Sequence, residues 1–120
     1  MRHKENMPIL VRMDIKPLSV NDCWQGKRFK TPKYRQYEKE LLYTLPTRKL
    51  PEPPFSIQFE FGFSSAASDW DNPIKPLQDI LQKKYNFDDK KILEASVRKI
   101  KVAKGKEYFK FRIDSLLINK

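Results

Sequence analysis

Two aspartates stand one residue apart, Asp69 and Asp71, in the stretch SDWDNPIKPLQD, and an adjacent pair, Asp88-Asp89, occurs further on within FDDKK. Carboxylates about 5 Å apart at an effective dielectric of about 20 repel by about 3 kcal/mol, so solvent, a lysine or a divalent cation must compensate. The plain account of each piece is structural. Asn72-Pro73 reads as a helix opening, a capping side chain followed by a first-turn proline. FDDKK reads as a charged turn, and Lys75 with Asp79 as an i,i+4 pair contributing a few tenths of a kcal/mol. The second account is chemical: Asp69, Asp71 and one of Asp88 or Asp89 converge on one hard cation. Magnesium takes octahedral oxygen ligands, commonly a few carboxylates with water and substrate phosphate. It polarises a phosphodiester and lowers the pKa of bound water. Lys75, one turn from the acidic pair, would then offset charge on the transition-state phosphorane. One cysteine and one histidine exclude a Cys/His zinc site, so any metal has oxygen ligands.

Convergence depends on the elements that carry these residues. Ile9, Val11, Met13 and Ile15 alternate along a first strand. A long basic loop comes next, and Thr31-Pro32 opens a helix with Tyr34, Tyr37, Leu41 and Leu45 on one face, which Pro46 stops. Phe55, Ile57, Phe59, Phe61 and Phe63 give the clearest period-two pattern, a half-buried strand that ends just before the acidic pair. Ile74, Leu77, Ile80 and Leu81 form the apolar stripe of a second helix, with Pro76 tolerated in its first turn. Alternating segments near Ala95–Ala103 and Glu107–Ile113 flank AKGK and read as a hairpin. The order β-α-β-α-β-β predicts a two-layer α+β domain spanning residues 1–120, with two helices on one small sheet. The acidic elements meet only if the loop after the second helix folds back.

The chain of 120 residues carries 25 Lys+Arg against 15 Asp+Glu, a formal charge of +10. That balance favours a polyanionic partner. No apolar run approaches the roughly 18 residues of a spanning helix, which argues against a membrane role. A lone Cys23 fits a reducing, cytoplasmic compartment. The stretch QGKRFKTPKYR offers Lys27, Arg28, Lys30, Lys33 and Arg35 for backbone phosphates, and Lys110 and Arg112 add a second basic patch on the last strand. Phe29 or Trp24 could stack on an unpaired base, although packing beneath the loop is the plainer account. No glycine-rich phosphate loop occurs, and no Cys-His nucleophile is indicated.

Taken together, DWDNPIKPLQDIL…FDD resembles the signature of the RusA-type Holliday junction resolvases: D-x-D-N-x-x-K, a helix carrying D-x-L, then D-D. Asp69, Asp71, Asn72, Lys75, Asp79, Leu81, Asp88 and Asp89 match it in order, and Pro17, Ser19 and Asn21 repeat the family's P-x-S-x-N after a first strand. Trp70, Pro73 and Pro76 depart from the pattern, and a shorter gap leaves Asp88 as the alternative to Asp89. The resemblance implies a homodimeric, Mg2+-dependent endodeoxyribonuclease of a bacterial or phage-infected cell, with Mn2+ as a substitute. Such an enzyme cuts four-way DNA junctions by paired nicks in recombination and repair. Asp69, Asp71 and Asp89 would be the metal ligands and Lys75 the essential lysine. The competing expectation is a non-catalytic basic nucleic-acid-binding module, in which the same acids only cap and solvate.

Overall fold

The computed structural model describes residues 7–26 and 28–117, so Lys27 lies outside the described residues. Strand β1 (Ile9–Met13) buries Ile9 and Val11 as the alternation requires. A short 3-10 turn at Val20–Asp22 leads into a two-stranded ribbon, β2 (Trp24–Gln25) and β3 (Phe29–Lys30). Helix α1 (Pro32–Thr44) starts where Thr31 accepts a hydrogen bond from the Tyr34 amide at 3.1 Å, with proline in the first turn. Its end falls just before Pro46, with Leu45 already extended. Strand β4 (Phe55–Phe63) is the longest apolar run, and helix α2 (Ile74–Tyr85) ends at Asn86 in the left-handed conformation. A second 3-10 turn at Asp89–Lys91 precedes β5 (Ile92–Lys101), and β6 (Tyr108–Ser115) is the last strand.

The main sheet has the order β1-β6-β4-β5. Strand β6 runs antiparallel to both β1 and β4, whereas β5 runs parallel to β4. The hairpin expected from AKGK therefore does not form. The chain turns at Gly105, whose φ of +90° few other residues adopt, but β4 lies between the two arms. The physical reason is the phenylalanine-rich strand itself, which buries most area in the centre of the sheet, where both β5 and β6 pair with it.

This is a two-layer α+β domain with both helices against one sheet face. Phe55, Ile57, Phe59 and Phe61 meet Phe109, Phe111 and Ile113 from β6 beneath Tyr34, Tyr37 and Leu41 of α1 and Leu77, Ile80 and Leu81 of α2. The helices are also tied to each other. Glu38 accepts from Lys30 at 3.0 Å and from Lys83 at 2.6 Å. Burial alone would raise the Glu38 pKa, but these two ammonium groups more than offset it and hold the carboxyl below its ordinary value. On the opposite face Gly62 leaves room for the Tyr108 ring, which a Cβ there would meet at 2.3 Å.

Candidate functional site

The acidic loop, residues 64–73, joins the carboxyl end of β4 to α2 and is turned rather than extended. The same-side argument for Asp69 and Asp71, which needs an extended segment, does not apply. What holds the loop is a set of contacts from three directions. The Lys99 ammonium on β5 donates to the carbonyls of Ala66, at 3.0 Å, and of Ser68. The Val20 amide donates to the Asn72 carbonyl at 2.8 Å, and the Ser64 hydroxyl donates to Glu107 at 2.6 Å. Asn72 is not the helix cap that its position suggested. The cap position falls on Pro73, which has no side-chain bond to give, and the Asn72 amide instead donates to Asp69 at 3.5 Å. Asp71 is exposed, and its carboxylate has no hydrogen-bond or ion-pair partner among the described residues.

Lys75 lies in the first turn of α2 and pairs with Asp79 at 3.0 Å, its side chain 61% exposed. The other acidic element is elsewhere. Asp88 caps the second 3-10 turn by accepting from the Lys90 amide at 3.0 Å, and that bond holds its carboxyl below the ordinary aspartate value. Asp89 is exposed on the first residue of the turn. The register then fixes where this turn sits: Ile92 is level with Phe55 and Lys101 with Phe63. Asp88-Asp89 therefore flank the amino end of β4, while Asp69 and Asp71 lie beyond its carboxyl end. Eight residue steps at about 3.3 Å put roughly 26 Å of strand between them. The convergence of Asp69, Asp71 and Asp89 within one chain is thus corrected. Among the described residues no three His, Cys, Asp or Glu side chains group closely enough to hold a metal ion.

The carboxyl end of β4 also carries a cleft of about 650 Å³, formed where the segment after β1 meets the acidic loop and α1. Asp69 and Asn72 share it with Pro17 and Ser19 of the P-x-S-x-N segment. Tyr37 lines it, only 6% exposed, and its buried hydroxyl has the Leu18 backbone amide beside its oxygen but no acceptor for its proton among the described residues. Burial pushes the Tyr37 pKa far up, so the phenol stays protonated. Cys23, just behind, is a structural residue. Its thiol is buried, donates to the Ser19 carbonyl at 3.3 Å and is pushed up to about 11 by that burial and by Asp22.

The basic residues are less free than their sequence suggests. Lys30 is held by Glu38 at 3.0 Å, Lys33 faces Asp22 at 3.8 Å, and Arg35 donates to the Lys30 carbonyl at 3.4 Å. Arg28 is exposed beside Phe29. Lys110 and Arg112 lie on the outer sheet face, pointing away from the core as expected, and pair with Glu60 at 3.7 Å and Asp114 at 2.5 Å. Register aligns Arg12, Lys110, Glu60 and Arg98 in one row across all four strands, three cations around one carboxylate. Phe29 is 67% exposed and not packed under the loop, whereas Trp24, 42% exposed, packs edge-on against the Tyr34 ring at 5.7 Å. Lys99, Tyr37 and the open edge of β5 do not stand out from the sequence as functional features. Lys99 is legible there only as one more lysine, because its reach to the loop depends on β5 pairing beside β4.

No protein-family model matches the chain, and no curated protein matches it by sequence. No helix among the described residues is long and apolar enough to cross a membrane.

Proposed function

We propose that this chain is a divalent-metal-dependent, structure-selective DNA endonuclease that cuts four-way junctions as a homodimer with sites shared between protomers. It would act in recombination and repair in the cytoplasm of a bacterial or phage-infected cell. The observation that carries this reading is the free edge of β5. This strand is ten residues long, pairs with β4 alone among the described residues, and exposes Leu93, Glu94, Ala95 and Ser96. A long unpaired edge is a template for another strand. In a two-fold antiparallel pairing of β5 with its copy, the register that overlaps the whole of both strands sets Ile92 opposite the partner's Lys101. Because Lys101 is level with Phe63, the turn bearing the partner's Asp89 comes alongside the strand end from which the Asp69–Asp71 loop departs. One dimer thus builds two equivalent sites from two half-sites, which suits two nicks on opposite strands.

In this shared form the donor set fits a hard cation: Asp69 and Asp71 from one chain and Asp89 from the other. Asp88 commits an oxygen to its cap, which favours Asp89 as the ligand. Magnesium, or manganese in its place, would supply polarisation of the phosphodiester and activation of water. Lys75 stands beside the loop, and an exposed i,i+4 pair contributes only about 0.3–0.5 kcal/mol, so a phosphate can readily draw it from Asp79. The outer row of Arg12, Lys110 and Arg98, with Arg112 next to it, and the exposed Arg28 supply cations for junction arms. The net charge of +10 supports the same partner.

The separation of the acidic elements within one chain favours the second reading, a basic DNA-binding module without catalysis. A synthetic mobile four-way junction, labelled on each strand in turn, separates the two. The nuclease cuts opposite strands at symmetric positions in Mg2+ or Mn2+ and leaves the junction intact in a chelator. A protein that binds the junction but cuts nothing in either metal is the module.

A further inference from the structure

We propose that the cleft at the carboxyl ends of β1 and β4 receives one unstacked nucleobase of the bound DNA, and selects a base that carries an exocyclic amino group. The proposal deepens the endonuclease reading and rests on it for the identity of the ligand as DNA. Three observations carry it. The first is size and shape: about 650 Å³ lies in the range of sites built for small planar ligands, and Pro17, Leu18, Phe63 and Pro73 supply apolar walls.

The second is charge. Asp14, Asp22, Glu40 and Asp69 line the cleft against Lys16 and Lys33, and Lys33 is already turned to Asp22 at 3.8 Å. An acceptor-rich, net negative cleft repels a phosphate and suits a neutral group that donates hydrogen bonds. Amino-bearing bases have that character, since carboxylates accept from an exocyclic amine, and thymine lacks one. The third is Tyr37 in the cleft lining, whose buried hydroxyl has the Leu18 backbone amide beside its oxygen but no acceptor for its proton among the described residues. A buried hydroxyl is normally bonded, and the polar edge of a base would complete it.

Asp69 belongs both to the cleft and to the acidic loop. A base held there lies next to the phosphodiester presented to that loop, so the cleft decides which step is cut. The centre of a branched junction is where unstacking costs least, because partners there are already strained or open.

The test places 2-aminopurine, one position at a time, at the nucleotides around the centre of a four-way junction, with Asp71→Asn protein in Mg2+ so that nothing is cut. The expected result is a several-fold fluorescence rise at one position, abolished in a double variant that adds Gln36→Trp. Gln36 is an exposed residue of α1 at the cleft, so the bulky ring obstructs the opening without entering the core. Tyr37→Phe in the cutting-competent protein should relax the choice of step. Thymine at the responding position should slow cutting by about tenfold. Binding with no fluorescence rise at any central position, or a rise that survives Gln36→Trp, overturns the cleft proposal and leaves the endonuclease standing. A rise abolished by Gln36→Trp in a protein whose wild type never cuts supports the cleft and removes the endonuclease. No junction binding at all removes both.

Discussion

The two ends of β4 are built differently. At the carboxyl end an irregular loop is braced by Lys99, by the Val20 amide and by the Ser64–Glu107 bond, and it borders a cleft. At the amino end a three-residue 3-10 turn, Asp89–Lys91, and its cap Asp88 present two carboxylates to solvent. One end is a prepared half-site, and the other is a projecting acidic tip. Neither end is complete alone, and the free edge of β5 is the means by which a second copy brings a tip to a cleft.

The largest expected effect comes from removing the exposed carboxylate of the prepared end. Asp71→Asn should lower cutting of a four-way junction on the order of a thousandfold, the worth of several kcal/mol of metal-assisted stabilisation. Binding measured by gel shift in Ca2+ should persist or tighten, because a charge that repels phosphate is gone. Unchanged cutting would show that this loop is not the site.

Next in size is the edge. Lysines at both Ala95 and Ser96 charge both faces of β5 where two copies would cross. Light scattering should report a monomer, circular dichroism an intact fold, and the junction assay a loss of cutting. A charged edge that stays dimeric would move the interface elsewhere on the molecule.

A smaller effect tests the bracing. Lys99→Met removes two hydrogen bonds to loop carbonyls, and supporting residues of this kind are worth about 10–100-fold in activity or metal affinity. Melting temperature should change little, since the residue is exposed. A large loss of stability with unchanged cutting would make Lys99 a fold residue only.

The smallest effect concerns the helix pair rather than either end. Glu38 has a depressed pKa in the folded chain, so its contribution is present above the ordinary glutamate range and is lost as pH falls through the lower folded value. Glu38→Gln should cost about 1–2 kcal/mol at pH 7 in urea unfolding, and the difference should close as pH falls below the ordinary glutamate range and through the lower folded value. A gap that persists in acid would point to packing instead of charge.

Much of the scaffold is legible in local chemistry. Thr31-Pro32 marks the start of α1, Pro46 its end, and the phenylalanines at every second position mark β4 and its buried face. Period two identifies a strand but not its neighbours, so it suggests a β5–β6 hairpin where β4 in fact intervenes. The same gap hides the separation of the acids. In a strand, returning helix and parallel strand, the two loops flanking the helix lie at opposite ends of the sheet. Asp71 and Asp89 obey that geometry. Sequence spacing carries no strand direction, so it leaves convergence within one chain open. A site completed by a second chain leaves no mark on the order of residues in one.

Complementation of two inactive variants tests the shared site most directly. Asp71→Asn and Asp89→Asn proteins, each unable to cut a four-way junction, are mixed, exchanged through mild denaturant and refolded together. In a mixed dimer with shared sites, one site inherits both lesions and the other inherits none. Half of the dimers would then carry one intact site of two, and nicking should return to about a quarter of the wild-type level. If each site drew all its ligands from a single chain, every site in the mixture would keep one lesion, and no nicking above the separate variants would appear.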